Sequence, residues 1–207
     1  RSGQGGAGRH RRSLRLAGSG FQAAIVRRRL DLARALESLP WQAVRLVTAS
    51  ALLDLVSAAW LQRLVAASTA ARVALLMALS VDGRHRWMPG DADDPVIAAL
   101  FGAHQRRDKG FGGPALGAAA APALVLALRR CGYRVHRARS DWLLDGRRDG
   151  QALALQRALI DGMAKAALEQ APAAAAQVQA WRQRRLALAP VSMLRVGHLD
   201  VLALPPR

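Results

Sequence analysis

Apolar and polar residues recur with two different periods along the chain, one typical of strands and one typical of helices, and together these patterns predict an α/β fold. Alternation in residues 43–50 and a nearly continuous apolar run in residues 71–81 predict two strands, the second buried on both faces of a sheet. Between them, Ser57 can cap a helix whose apolar positions repeat at helical spacing. A strand, a helix and a second strand make a βαβ unit, so the two strands are expected to lie side by side and parallel.

The rest of the chain continues with helices and two late strands. Asp94 and Pro95 predict the start of a helix that ends near His104, where a glycine-interrupted loop follows. The further helices are expected over residues 122–130, over residues 149–168 and after Pro172, and the strands over residues 133–143 and 193–204. The two late strands are expected to form an antiparallel pair.

Residues 1–22 differ in composition from the rest of the chain. They are rich in glycine, arginine and serine, carry few large apolar side chains, and are predicted to be disordered. Residues 23–207 are expected to form one domain, because a chain of this length supports a single buried core.

The formal net charge of +17 is compatible with a nucleic-acid partner, because clustered cations release counterions from phosphate. However, Lys109 and Lys165 are the only lysines, and the arginines are spread along the whole chain. This distribution favours the compositional bias of a G+C-rich coding sequence over a dedicated binding stripe. A basic nucleic-acid-binding module without catalysis stays as the alternative function, although it is not favoured.

Compartment and metal binding are read from residue usage. The single cysteine, Cys131, cannot form an intramolecular disulfide, which is typical of a reducing cytoplasm. The longest apolar run, residues 115–128, is shorter than the roughly 20 residues that cross a bilayer. Cysteine, histidine and carboxylate spacings match neither a zinc site nor a calcium loop. A cytoplasmic protein with no membrane partner and no metal is therefore expected.

Two stretches carry the candidate chemistry. Residues 46–57, LVTASALLDLVS, end a strand in small side chains and continue through Asp54, at the place where ligands bind in parallel sheets. Residues 104–117, HQRRDKGFGGPALG, combine polar side chains with glycines and are expected to overhang the same crevice. A polar surface loop with glycine hinges is the alternative interpretation of the second stretch.

These two stretches, together with RRLDLARALESLP in residues 28–40, resemble the later part of class I S-adenosylmethionine-dependent methyltransferases. More narrowly, they are similar to a bacterial group that carries TASALLDLVS and HQ..DKGFG motifs. The resemblance implies a Rossmann-like sheet and transfer of a methyl group from S-adenosylmethionine to an acceptor. The sequence does not identify the acceptor.

The resemblance also implies residues that bind the cofactor. Asp31 matches the acidic residue that contacts the adenine amino group in the family, and Leu32 matches its neighbour beside the ring. Thr48, Ala49 and Ser50 match the strand end that lines the methionine part of the cofactor.

On the acceptor side, the resemblance places Gln105, Asp108 and Lys109 in a loop over the substrate. If the acceptor must lose a proton, a general base is needed within reach of it. His104 and Asp54 are the candidates for that base.

The N-terminal part of the domain in this family has no counterpart in this sequence. The family begins with a strand, a glycine-rich D.G.G.G loop, a helix and a second strand, and one βαβ unit alone takes about 30 residues. Too few residues precede Val26 to hold that unit, and the G-x-G-x-x-G spacing at Gly3, Gly5 and Gly8 follows no strand. The expected domain is therefore N-terminally incomplete, and the activity of this chain by itself stays open, as does its oligomeric state.

Overall fold

The computed structural model describes residues 12–207 of the chain. They divide into two compact units, with the division between Leu36 and Glu37. The boundary expected from composition, after residue 22, does not coincide with this division. Each unit is described by itself below.

The first unit contains a β-hairpin and a short helix. The strands β1 (Arg12–Gly18) and β2 (Phe21–Arg27) pair antiparallel, and α1 (Leu32–Ala35) follows them. Gly20 turns the chain between the strands with a φ of 88°, a left-handed conformation that glycine adopts without steric strain.

Residues 12–22, for which composition predicts disorder, lie in this hairpin. Leu14 and Leu16 alternate with arginines, and Leu14 lies opposite Ile25 in the strand register. Such alternation specifies a strand, and a short glycine-containing turn joins it to its partner. Residues 1–11, the remainder of that prediction, lie outside the described part of the chain.

The second unit is an α/β structure with one mixed sheet of five strands, which confirms the predicted class. Its strands and α-helices are, in chain order, β3 (Leu46–Ser50), α2 (Ala58–Ala71), β4 (Ala74–Met88), α3 (Asp94–Gln105), α4 (Ala120–Arg130), β5 (Arg134–Arg139), β6 (Trp142–Asp145), α5 (Gly150–Gln170), α6 (Ala175–Leu188) and β7 (Met193–Leu204). The strand order is β3-β4-β7-β5, and β6 pairs with the first residues of β7.

The strands β3 and β4 are parallel neighbours, with Leu46 beside Ala74 and Ser50 beside Ala78. This pairing confirms the expectation of two parallel strands side by side. Strand β7 runs antiparallel to both β4 and β5, so the late antiparallel pair is also confirmed. Strand β7 therefore runs opposite to the other four strands of this sheet.

Strand β4 continues past Val81, where the apolar run ends, as far as Met88. Two irregularities interrupt its register with β7, one after Met77 and one after Val81. Gly83 has a φ of 83° in the second of them, where glycine allows the strand to bulge and resume. The polar extension of β4 is thus held by pairing with β7.

The single strand expected over residues 133–143 is two strands, β5 and β6, in the structure. The Ser140 hydroxyl donates to Asp200 at 2.7 Å, and the Asp141 carboxylate accepts from the His198 amide at 3.2 Å. These two side chains bond to β7 at the point where the chain leaves one pairing and enters the next.

Two groups of helices complete the second unit. Helices α2 and α4 contact each other, and α4 contacts β4, β5 and β7. Helices α3, α5 and α6 share a core in which Ile97, Ile160 and Trp181 are fully buried together with Leu194 of β7. None of the helices in residues 12–207 combines the length and the apolarity needed to cross a membrane.

The two outer strands of the sheet differ in charge. Strand β3 contains no charged side chain, and among the described strands it pairs only with β4. Strand β5 carries Arg134, Arg137 and Arg139, and within residues 12–207 it pairs with β7 alone.

Candidate functional site

The carboxyl end of β3 lies where the sequence places it. Thr48, Ala49 and Ser50 are its last three residues, and the Thr48 and Ser50 side chains are exposed. The next residue, Ala51, adopts a left-handed φ of 51°, and its amide donates to the Ala78 carbonyl at 3.1 Å. The chain therefore turns sharply beside the β3–β4 pair.

Asp54 follows in a short 3-10 turn, Leu53–Leu55, before α2 begins. Its Oδ1 atom is buried and has no hydrogen-bond partner among residues 12–207. Burial raises the pKa of this carboxyl, while the backbone amide of Asp54 and the charge of His198 act in the opposite direction. A carboxylate in such a position holds a proton more readily than an exposed one.

His198 acts electrostatically on Asp54, and it also acts on a second histidine, His85. His198 of β7 is buried, and its ring lies 4.7 Å from the ring of Trp142. His85 of β4 is half-buried and meets Phe101 edge-on at 5.5 Å. Burial lowers the pKa of His85, and the charge of His198 lowers it further. Asp54, His85 and His198 form what we call the titratable cluster.

The sequence pattern gave neither histidine a role. His198 reaches the cluster because β7 pairs with β4, which places it opposite Val81. No local motif encodes that pairing between segments far apart in the chain. The alternation of His85 with Arg84 and Arg86 is compatible with a strand. Because these residues are all polar, however, the sequence did not predict that the strand continues there.

A cavity of about 310 Å³ lies beside His85, one member of this cluster. His85, Phe101 and Gln105 line it, together with Gly83 of the β4 bulge. The structure thus brings Gln105, an expected substrate-side residue, together with His85. The Ser80 hydroxyl of β4 is also buried without a hydrogen-bond partner among residues 12–207.

His104 has a different neighbour. Its Nε2 atom lies 2.9 Å from Oε2 of Glu169 on α5, and this contact lowers the pKa of Glu169. Arg107 reinforces the same junction by donating to the Glu169 carbonyl at 2.6 Å. The two candidate bases therefore lie in different surroundings. His104 contacts Glu169 of α5, whereas Asp54 belongs to the titratable cluster.

The loop of residues 104–117 packs on the start of α2, just beyond the end of β3. The Ser57 hydroxyl donates to the Phe111 carbonyl at 2.8 Å and accepts from the Trp60 amide at 3.2 Å. The rings of Phe111 and Trp60 meet edge-on at 5.5 Å. One serine thus caps the helix and anchors the loop beside the turn that holds Asp54.

Asp108, Lys109 and Gly110 of this loop are exposed. Asp108 accepts a hydrogen bond from the Gly110 amide at 2.7 Å, so its carboxylate shapes the turn. Gly110 has a φ of 87°, which this turn requires and which glycine tolerates. Lys109 extends into solvent next to it.

Asp31 and Leu32 belong to the first unit. Asp31 is exposed, and its carboxylate caps α1 by accepting from the Ala33 amide at 3.0 Å. Leu32 is half-buried at the first position of that helix. The structure therefore shows Asp31 as a helix cap.

The acidic cluster before α3 is used in packing. Arg184 of α6 pairs with Asp91 and Asp93 and holds the pKa of Asp91 down at about 2. The fully buried Arg185 pairs with Asp94 and lies 4.8 Å over the ring of Trp87. No group of three metal-ligating side chains occurs in residues 12–207.

Neither a protein-family model nor a curated protein matches the chain at a significant level. Function is therefore inferred from the titratable cluster, the cavity beside it and the parallel strand pair.

Proposed function

We propose that the second unit carries the acceptor side of an S-adenosylmethionine-dependent methyl-transfer domain, with Asp54 as the base. The observation that carries this proposal is the buried, unpartnered Oδ1 of Asp54 immediately after the β3–β4 pair. The acceptor would lie beside the carboxyl ends of the two strands, where open α/β sheets bind their ligands.

The sheet supports the proposal in two ways. Its parallel pair ends at Ser50 and Ala78, and small side chains there allow a ligand to approach the backbone closely. Its antiparallel β5–β7 pair agrees with the late strand pair that the sequence pattern predicts. The loop anchored on Ser57 borders the same region.

Asp54 has the properties of a proton acceptor. An acceptor hydroxyl or amine must lose a proton as its oxygen or nitrogen forms a bond to the methyl carbon, and a base is most effective when its pKa is near the working pH. Burial moves the pKa of Asp54 in that direction. His85, whose pKa is lowered, stays neutral and can accept or donate a hydrogen bond to orient the acceptor.

The described residues fit the cofactor only in part. Thr48, Ala49 and Ser50 lie at the strand end that the resemblance assigns to the methionine part. Asp31, assigned to the adenine, caps a helix and belongs to the other unit. The residues described here would therefore bind the acceptor and remove its proton, and the cofactor would supply the methyl group.

Calorimetric titration of the whole chain with S-adenosylmethionine tests the proposal. Saturable binding is expected at millimolar ligand, and Ser50→Tyr should abolish it by filling the strand end. Ala154→Tyr, an exposed position on α5, is the matched control and should bind as the wild type does. Absence of binding, or equal loss in both variants, would contradict a site at the end of β3.

The role of Asp54 is tested separately. Asp54→Asn keeps the shape of the side chain and removes the base, so it should leave cofactor binding unchanged. It should abolish methyl transfer to any acceptor that the wild-type protein is found to use. Full activity of the variant with such an acceptor would refute Asp54 as the base.

A further inference from the structure

A second cavity, of about 380 Å³, lies on the extension of β4. Four arginines from three strands line it: Arg84 and Arg86 from β4, Arg195 from β7 and Arg139 from the end of β5. Its volume is in the range of small-molecule sites. We call it the arginine cavity.

The strand register forces two of these cations together. Arg86 lies directly opposite Arg195 in the antiparallel β4–β7 pair. Directly opposed side chains have Cβ atoms about 4.5–5.5 Å apart, and like charges there are destabilising. The opposed charges of Arg86 and Arg195 therefore weaken the pairing of β4 with β7 at this position.

The nearby carboxylates do not neutralise the group. Asp82 and Asp141 both bond to Arg84, with Nε to Asp82 Oδ2 at 2.6 Å and Nη2 to Asp141 Oδ1 at 2.9 Å. Arg195 only approaches Asp141, at 3.8 Å. Within residues 12–207, the guanidinium groups of Arg86 and Arg139 make no hydrogen bond or salt bridge, which leaves an excess of positive charge in the cavity.

Part of the lining is apolar. Met88 and Met193 lie opposite each other in the same strand pair, two residues beyond Arg86 and Arg195. Because side chains alternate along a strand, Arg86 and Met88 lie on the side of β4 opposite to Trp87, whose ring is in the helical core. Methionine side chains adapt to irregular apolar surfaces.

We propose that the arginine cavity binds a small phosphate monoester with an apolar body. A guanidinium binds phosphate oxygens through paired, charge-assisted hydrogen bonds. A phosphate monoester dianion carries two negative charges, which matches the excess of the four arginines over the carboxylates of Asp82 and Asp141. The two methionines contact the apolar body. The site is independent of methyl transfer and requires neither Asp54 nor the cofactor.

Calorimetry with phenyl phosphate in a phosphate-free buffer tests this site. Phenyl phosphate should bind more tightly than inorganic phosphate, and phenol should not bind. Arg86→Gln and Arg195→Gln should each weaken the affinity for phenyl phosphate at least tenfold. Arg157→Gln removes the same charge from an exposed position on α5 and should change the affinity less than twofold.

Thermal unfolding of the same variants separates binding from structure. Arg86→Gln removes one of two opposed cations and breaks no hydrogen bond, so its melting temperature should equal or exceed that of the wild type. Loss of phosphate affinity together with unchanged or raised stability supports a binding role.

Three outcomes would overturn the proposal. Unchanged affinity in both Arg86→Gln and Arg195→Gln would exclude these arginines from binding. An equal loss in Arg157→Gln would show a response to net charge alone. A single-stranded oligonucleotide that binds more tightly than phenyl phosphate, and is weakened alike by all three substitutions, would assign the arginines to a general nucleic-acid surface.

Discussion

Asparagine at position 54 is expected to stabilise the second unit at neutral pH. Asp54→Asn keeps the shape of the side chain but removes a charge whose Oδ1 atom is buried without a partner in residues 12–207. A buried unpaired polar group costs about 1–3 kcal/mol, and more when it is ionised. Because the amide still buries one neutral polar atom, we expect a gain of about 1–2 kcal/mol, or roughly 2–8 °C in Tm for a domain of this size.

The gain should depend on pH in a defined direction. Burial raises the pKa of Asp54, so the folded state keeps the proton to a higher pH than the unfolded chain does. Below the unfolded value both states are protonated, and ionisation has no effect on stability. As the pH rises through the unfolded and then the folded pKa, the wild type loses stability that the variant does not lose. The difference in Tm should therefore be small in acid, rise with pH, and level off above the folded-state pKa of Asp54.

Differential scanning calorimetry across this pH range provides the measurement. Asp161→Asn is the matched control, because its carboxylate forms an exposed pair with Arg182 at 2.7 Å. Exposed pairs contribute about 0–1 kcal/mol, so this variant should show no gain. An Asp54→Asn protein without a gain at neutral pH, or with the same gain at every pH, would mean that the Asp54 carboxylate has a partner in solution.

Three further substitutions test other parts of the structure. Arg185→Ala leaves Asp94 without its buried arginine partner and should reduce the free energy of unfolding by about 3–5 kcal/mol. Urea denaturation measures this change, and a loss below about 1 kcal/mol would contradict a desolvated ion pair. Ser57→Ala removes the cap of α2 and the hydrogen bond to the Phe111 carbonyl, so it should reduce the free energy of unfolding by about 1–2 kcal/mol. It should also speed proteolysis within residues 104–117, and an unchanged cleavage rate would contradict the role of Ser57 in anchoring this loop. Tyr133→Phe should cost about 1 kcal/mol by calorimetry, since the buried hydroxyl bonds to two backbone carbonyls, and an unchanged Tm would refute this contribution.

Local sequence patterns were sufficient to predict much of the fold. The apolar run of residues 71–81 and the cap at Ser57 were sufficient to predict β4, α2 and the parallel pairing with β3. The extension of β4 to Met88 was not predictable, because its residues are polar and only pairing with β7 makes them a strand. The break between β5 and β6 likewise depends on Asp141, which bonds to a distant residue.

The candidate site likewise contains residues that could be placed from the sequence and residues that could not. Asp54 could be placed from sequence alone, because it directly follows a strand of a βαβ unit. The effect of His198 on Asp54 could not be predicted, because the position of His198 follows from the register of β7 with β4. His104 was correctly placed at the end of α3, but its partner Glu169 comes from α5, and helix packing of that kind has no local signature.

The unequal outer strands have a consequence for self-association. A strand edge leaves amides and carbonyls free to pair with another chain, and charged side chains discourage this. The arginines of β5 repel a second copy, whereas β3 offers an uncharged edge of five residues. In concentrated solution, copies of the protein should join first through β3. A lysine at the exposed position Thr48 would give that edge the protection that β5 already has.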